Sequence, residues 1–180
     1  HTRNGVVDDE VASEEEAFER VRRFLSYLPP SVHGLPARGE VGDDAARRDE
    51  WLLSAIPPDG RQVYNILPIL ECPVDQGSFL EMGRQWGRAI VTGLARIDGW
   101  PVAVVASDPY FYGGGWDGPS AEKFTRFVDL AQTFHLPVVN LVDIAGFQIG
   151  VEAERAGIMR YGARALAAVY QATVPWCSII

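Results

Sequence analysis

The sequence has few of the residues that form disulfides and bind metal ions. It contains two cysteines, Cys72 and Cys177, and three histidines among 180 residues. The cysteines are far apart and form neither a CxxC pair nor a ligand-like spacing, which argues against a disulfide framework and against a zinc site. We therefore expect a protein of the reducing cytoplasm that has no metal site of its own.

Basic residues and long apolar runs are also scarce. Sixteen Lys and Arg residues against twenty-four Asp and Glu residues give a formal net charge of −8. No apolar run approaches the roughly 18 residues of a membrane-spanning helix, and the charged amino-terminal stretch has no signal-peptide core. Neither nucleic acid nor a membrane is therefore expected as a partner. With 47% apolar residues, the chain is expected to fold into one or two compact, soluble domains.

An amphipathic helix and a linker are predicted for the first third of the chain. Ser13 and Glu16 form a capping-box pattern, and apolar residues at helical spacing predict a helix over residues 13–28, which a Pro-Pro pair ends. Residues 29–60 are rich in Pro, Gly and alternating charges, a composition typical of an interdomain linker. Trp51 is the expected anchor of this linker.

The rest of the chain alternates strands with helices. Asp98 and Gly99 form a turn signal between two apolar runs, which predicts a β-hairpin. Later apolar runs are separated by helical segments, which predicts parallel strands with ligands at the loops after their carboxyl ends. Two loops qualify, residues 107–118 and 143–150. The predicted strands are residues 79–82, 89–97, 101–106, 138–142 and 176–180, and the predicted helices are residues 64–70, 119–134 and 152–171.

The first of these loops contains a GxGxxG pattern at residues 113–118. Taken alone, the pattern suggests a dinucleotide-binding oxidoreductase, with the pyrophosphate at the helix amides and Asp143 on a ribose hydroxyl. In such a site the first glycine follows the strand directly, whereas residues 107–112 intervene here. The dinucleotide hypothesis is therefore the weakest one, and a flexible turn before a helix is the simpler interpretation.

The second loop, Asp-Ile-Ala-Gly-Phe-Gln-Ile-Gly at residues 143–150, follows a predicted buried strand. Its glycines allow the backbone amides to approach a ligand closely, so the loop could bind an oxyanion. An ordinary connection between a strand and a helix is the alternative.

Seven separated stretches form a recognisable series between about residue 8 and residue 180. They are VRRFLSYLP at residues 21–29, GSFLE at 77–81, IVTGLARIDG at 90–99, PVAVVA at 101–106, DIAGFQIG at 143–150, GIMRYGA at 157–163 and ATVP at 172–175. In this order they resemble the carboxyltransferase (beta) subunits of biotin-dependent acyl-CoA carboxylases.

The resemblance implies a crotonase-like, or ClpP-like, α/β fold of repeated ββα units. It also implies that residues 1–28 end an amino-terminal carboxyltransferase domain, that residues 29–60 are a linker, and that residues 61–180 begin an incomplete carboxyl-terminal domain. Members of the family move a carboxyl group from carboxybiotin to the α carbon of an acyl-CoA. A biotin carboxylase or biotin carrier subunit is the implied partner, together with a homo-oligomer built from dimers.

The resemblance also implies which residues form a site. In the family, pairs of backbone amides stabilise the oxyanions, and both pairs are expected outside this chain, which begins at His1 and stops within a strand-like run at Ile180. The chain is therefore expected to be an interior fragment that is inactive alone, without a catalytic residue. The implied wall of the biotin-side pocket is Gly113, Gly114, Gly115, Asp143, Ala145, Gly146 and Phe147.

Some positions depart from the family pattern. Ala145 stands where the family usually has proline, and Tyr161 where histidine is common.

A biotin-dependent acyl-CoA decarboxylase and, from a different class, a noncatalytic assembly module remain alternatives. Three arginines could approach CoA phosphates, although a solvated helix face is favoured, and His135 is expected to contact a helix end rather than act as a base. These arginines are Arg155, Arg160 and Arg164.

Overall fold

The computed structural model describes residues 1–44 and 46–180, and its centre is a five-stranded mixed sheet with the strands ordered as in the sequence. The first three strands are antiparallel neighbours, and the last two continue from the third in parallel. The strands are β1 (Leu80–Met82), β2 (Ile90–Ile97), β3 (Trp100–Ser107), β4 (Val138–Leu141) and β5 (Trp176–Ile179). The predicted strands, the hairpin and the parallel arrangement are confirmed.

The β2–β3 hairpin is closed by the predicted Asp-Gly turn. Asp98 and Gly99 have φ angles of 51° and 76°, the positive values that a type I′ turn requires at both central residues. The side chain of Asp75, which precedes β1, stabilises this turn. Its carboxylate accepts hydrogen bonds from the amides of Asp98 and Gly99, both at 2.8 Å.

Asp75→Ala is expected to lower the free energy of unfolding by about 1–2 kcal/mol, because two turn amides lose their acceptor. Urea unfolding followed by circular dichroism measures the change. Asp75→Asn is the matched control: its single carbonyl oxygen can keep one of the two hydrogen bonds, so its loss should be clearly smaller. An alanine variant as stable as the wild type would show that water satisfies the turn amides equally well.

Five α-helices surround the sheet. The first begins at the predicted cap, where the Ser13 side chain accepts a hydrogen bond from the amide of Glu16. The third begins after Asp117, whose carboxylate accepts the amide of Ser120 at 2.8 Å. The helices are α1 (Glu14–Ser26), α2 (Ile66–Glu71), α3 (Gly118–Thr133), α4 (Val151–Ala156) and α5 (Ile158–Gln171), and short 3-10 helices occur at Thr2–Asn4, Glu50–Ser54 and Tyr112–Gly114.

The prediction of one continuous helix over residues 152–171 is wrong. Gly157 has a φ of 80° and ends α4 in the left-handed conformation, in which an α-helix cannot continue. The chain therefore turns at this glycine, and α5 begins as a separate helix that packs against α3.

Apolar side chains are buried on both faces of the sheet. In β2, Ile90 and Leu94 belong to one apolar cluster with Phe124 of α3, whereas Val91 and its neighbours on the other face pack with Leu70 of α2. This alternation follows the period of two residues in a strand. Burial on both faces also explains why β3 is a continuous apolar run over residues 101–106.

The segment predicted as a linker is bound to the stretch of chain between α2 and β1. Arg47 donates hydrogen bonds to the carbonyls of Cys72 and Val74 at 3.0 and 2.9 Å, and it forms salt bridges with Asp43 and Asp49. Trp51 is 44% exposed, so its prediction as the anchor is wrong. Arg47 fills this role because one guanidinium carries five donors and can satisfy several acceptors at once.

Other contacts join the predicted parts of the chain. Tyr27, at the end of α1, is buried in the same apolar cluster as β2 and α3. His135 follows α3, and its Nε2 lies 2.8 Å from the carbonyl oxygen of Val32, in the segment after α1, so the ring does not make the expected contact with a helix end. The domain boundaries at residues 28 and 60 stay a prediction. Within the described ranges, no helix has the length and apolar composition needed to cross a bilayer.

Candidate functional site

The two loops singled out in the sequence lie side by side. The first loop, residues 108–117, leaves β3, and the second loop, residues 143–150, follows β4. The Trp116 amide donates to the carbonyl of Gly146, and the Gln148 amide donates to the carbonyl of Trp116, both at 2.9 Å. These bonds form a short parallel bridge between Trp116 and Phe147. The loops therefore form one surface at the carboxyl ends of β3 and β4.

The loops approach each other most closely at Gly114. This glycine has a φ of 77°, and a Cβ atom built on it would lie 2.4 Å from the carbonyl oxygen of Asp143. Tyr112 and Gly113, just before it, also have positive φ angles. A tyrosine in this region carries backbone strain, so the first loop is held in a conformation that its sequence alone does not favour.

The seven residues assigned to the pocket wall occupy two layers of this surface. Gly114 and Gly115 are buried and support the second loop from beneath. Gly146 is half-buried. The exposed members of the set are Gly113, Asp143, Ala145 and Phe147.

Backbone amides of the second loop are free to bind a ligand. Among the described residues, no protein acceptor is hydrogen-bonded to the amides of residues 144–147. Such amides can donate to an oxyanion or a carbonyl oxygen.

An apolar cavity of about 490 Å³ adjoins the loops. Phe147 lies between the loops and this cavity, and Trp116 packs edge-on against its ring, with 5.9 Å between the centroids. The indole Nε1 of Trp116 is buried without a hydrogen-bond partner among the described residues. Other cavity-lining side chains include Phe124, Met159, Leu166 and Val169.

Two residues that the sequence did not indicate hold Asp143 in place. The hydroxyl of Tyr64 donates to Asp143 Oδ2 at 2.6 Å, and Ser107 Oγ accepts the amide of Asp143 at 3.1 Å. Burial raises the pKa of Tyr64, and the hydrogen bond to Asp143 raises it further. Tyr64 therefore stays a protonated donor at physiological pH.

Charged side chains lie at the start of the first loop. Burial raises the pKa of Asp108, although the Tyr110 amide and the charges of Arg88 and Lys123 oppose this shift. The Arg88 guanidinium stacks over the Phe111 ring, 3.9 Å from its centroid. The cation is therefore held against an aromatic face.

The glycine-rich segment does not have the geometry of a dinucleotide site. Tyr112–Gly114 forms a 3-10 helix inside the first loop, and Gly114 faces the Asp143 carbonyl. A dinucleotide site requires the glycine turn to lead directly from the strand into the helix.

The arginines of α4 and α5 are exposed, and Arg155 pairs with Glu152 at 3.0 Å, as expected for a solvated face.

Known proteins share this chain's sequence and fold. The Carboxyl transferase domain family matches residues 1–180. A propionyl-CoA carboxylase carboxyltransferase subunit of Haloferax mediterranei is 36% identical over 177 residues, which are 98% of this chain and 34% of that protein. The alpha subunit of methylmalonyl-CoA decarboxylase of Veillonella parvula is 32% identical, over 98% of this chain and 35% of that protein.

Among solved structures, transcarboxylase 12S superposes with a TM-score of 0.94 at 31% identity. The match covers 99% of this chain and 34% of that one, and the structure is a hexamer with methylmalonyl-coenzyme A and methylmalonic acid bound. This likeness confirms the predicted crotonase-like α/β fold. The chain spans about a third of the length of the relatives it matches.

Proposed function

The chain belongs to the carboxyl transferase domain family, and from this premise we propose that it is part of an acyl-CoA carboxylase component that moves a carboxyl group from carboxybiotin to the α carbon of an acyl-CoA. The observation that supports this most is the meeting of the two loops at the carboxyl ends of β3 and β4, where no acceptor in the described part of the chain is bonded to the amides of residues 144–147. In this proposal biotin, which a partner subunit presents, carries the carboxyl group.

The residues of this surface fit a small planar ring with a carbonyl oxygen. Phe147 offers an exposed apolar face, and the free amides beside it offer donors to the oxygen. In this proposal Gly113, Asp143 and Ala145 complete the exposed wall, while Gly114 and Gly115 set its shape. The principal oxyanion donors lie in other parts of the whole polypeptide, so the 180-residue chain alone is inactive.

The proposal includes the surroundings of the enzyme. A homo-oligomer based on dimers and a biotin carboxylase or carrier subunit complete the reaction, as the hexamer of transcarboxylase 12S suggests for the oligomer. Both cysteines are free thiols, which agrees with a reducing cytoplasm. The noncatalytic assembly module and the dinucleotide-binding oxidoreductase gain no support from the relatives described above.

Phe147→Ala tests the proposed wall in the full-length polypeptide. With propionyl-CoA as the acceptor probe, we expect the KM for the carboxylated biotin carrier to rise about tenfold, equivalent to about 1.4 kcal/mol, because an exposed aromatic contact is lost. The KM for propionyl-CoA should be unchanged. Phe18→Ala, at an exposed phenylalanine of α1, is the matched control.

A rise in the KM for propionyl-CoA without a change for the carrier would place the second loop on the thioester side and contradict the proposal. The decarboxylase alternative is tested with the same polypeptide. Release of carbon dioxide from methylmalonyl-CoA, without net carboxylation of propionyl-CoA by the carboxylated carrier, would support the decarboxylase.

A further inference from the structure

The second loop is tied to a part of the chain that is remote in sequence. The hydrogen bond from Tyr64 to Asp143 spans 79 residues and is 2.6 Å long. Tyr64 stands two residues before α2, and its ring packs against the apolar cluster beneath that helix. The hydroxyl is therefore presented by an anchored side chain rather than by a mobile one.

Asp143 is the point where three segments meet. Its amide donates to Ser107 at the end of β3, its carbonyl oxygen lies against Gly114 of the first loop, and its carboxylate accepts the Tyr64 hydroxyl. Beyond Asp143, the next residue of the loop with a backbone hydrogen bond is Gly146, whose carbonyl accepts the Trp116 amide. The direction in which the loop leaves β4 is therefore set mainly at Asp143.

We propose that Tyr64 is a positioning residue for residues 144–147, acting through the Asp143 carboxylate. This inference rests on the proposed function of the second loop as a wall of the biotin-side pocket. Tyr64 itself does not touch the reacting groups. It fixes the orientation of the unpaired amides, and a displacement of about 1 Å of such groups can reduce a rate about a hundredfold.

The chemistry of the pair suits this role. A phenol hydroxyl donating to an ionised carboxylate forms a charge-assisted hydrogen bond, which is shorter and stronger than a neutral one. Asp143 is exposed, so water can replace the phenol when it is removed. A phenylalanine at position 64 should therefore change loop geometry more than it changes global stability.

Tyr64→Phe in the full-length polypeptide is expected to lower kcat for carboxyl transfer to propionyl-CoA about tenfold and to leave the KM for propionyl-CoA unchanged. Asp143→Ala should lower kcat at least as much, and the double variant should be no worse than Asp143→Ala alone. Asp143→Asn, which keeps an acceptor oxygen, should recover most of the loss. Tyr170→Phe is the matched control, since Tyr170 is 82% exposed on α5.

A second measurement uses the full-length polypeptide and does not depend on activity. Tyr64→Phe should speed hydrogen exchange at the Trp116 and Gln148 amides, which bond across the two loops, by about fivefold or more. Exchange equal to that of Tyr170→Phe would overturn the positioning role. Faster exchange combined with an unchanged kcat would instead overturn the proposed function of the loop, and the two failures are therefore distinguishable.

Discussion

Gly114→Ala is expected to lower the free energy of unfolding by about 2–4 kcal/mol. Two costs combine at this position. Alanine at a φ of 77° is strained by about 1–2 kcal/mol, and its Cβ would lie 2.4 Å from the Asp143 carbonyl oxygen. The obstacle is the backbone of Asp143, so it cannot move aside as a flexible side chain would. The first loop must therefore retreat from the second.

Gly113→Ala is the matched control for this prediction. Gly113 has a similar φ of 60°, but nothing lies within 4 Å of a Cβ built on it. Gly113→Ala should lower the free energy of unfolding by the backbone strain alone, about 1–2 kcal/mol. Urea unfolding of both variants, with tryptophan fluorescence as the probe, gives the difference between them. Equal losses in the two variants would show that the contact between Gly114 and Asp143 is not tight in solution.

Gly114→Ala should also reduce carboxyl transfer by the full-length polypeptide by about a hundredfold or more, because the loops no longer meet. Gly113→Ala is a control for stability only, because Gly113 belongs to the proposed wall and its side chain would project into the open space where a ligand binds. A loss of activity in both variants alike would indicate that Gly113 itself contacts a ligand.

Local patterns in the sequence predicted those parts of the fold that local forces determine. The Asp98-Gly99 turn follows from the φ preferences of two adjacent residues, and the cap at Ser13 follows from one side chain bonding a nearby amide. A continuous apolar run predicts a strand that is buried on both faces. The position of the two loops follows from parallel strands, whose carboxyl ends lie at the same sheet edge.

Features that depend on distant contacts were missed. The bond between Tyr64 and Asp143 joins residues that no spacing rule connects, and the attachment of the linker segment by Arg47 depends on carbonyls some 25 residues away. The break at Gly157 was missed for another reason. A glycine within a helical pattern is often tolerated, whereas here Gly157 adopts the left-handed conformation that ends α4.

The site was only partly predictable for the same reason. The sequence singled out the glycines and Asp143, but it did not show that Gly114 and Gly115 are buried supports while Gly113 is exposed. That distinction arises from how the first loop folds under the second. Hydrophobic periodicity predicts helices and strands, and neither loop sequence has such a period.

Lys123 is the only lysine in the sequence and is nearly completely buried, with 2% of its surface exposed. Its Nζ donates to the carbonyl of Ile90 at 2.7 Å. Burial lowers the pKa of Lys123 to about 8, with a smaller contribution from the charge of Arg126, while Glu81, Asp8 and Asp108 oppose the shift. The single lysine of this arginine-rich chain is thus buried beneath β2, where it can lose its charge by releasing a proton.

The sign of the resulting pH dependence follows from the two protonation states. In the unfolded chain Lys123 binds its proton up to a pKa of 10.5, whereas in the folded chain it releases the proton near pH 8. Between these values the unfolded state binds more protons, so stability rises with pH. Below pH 8 the folded protein carries the full cost of burying the charge. This cost is on the order of 3 kcal/mol.

Wild-type protein should therefore gain on the order of 2–3 kcal/mol of stability relative to Lys123→Met between pH 7 and pH 10. Subtracting the two urea-unfolding curves removes the contribution of all other titrating groups, including Tyr64. Lys123→Arg is the matched control: arginine stays charged across this range, so it should show no relative gain. Because the chain has one lysine, its side-chain resonance gives the pKa directly by NMR. A midpoint near 10.5 in the folded protein would contradict the buried, weakly basic amine and with it the rise in stability.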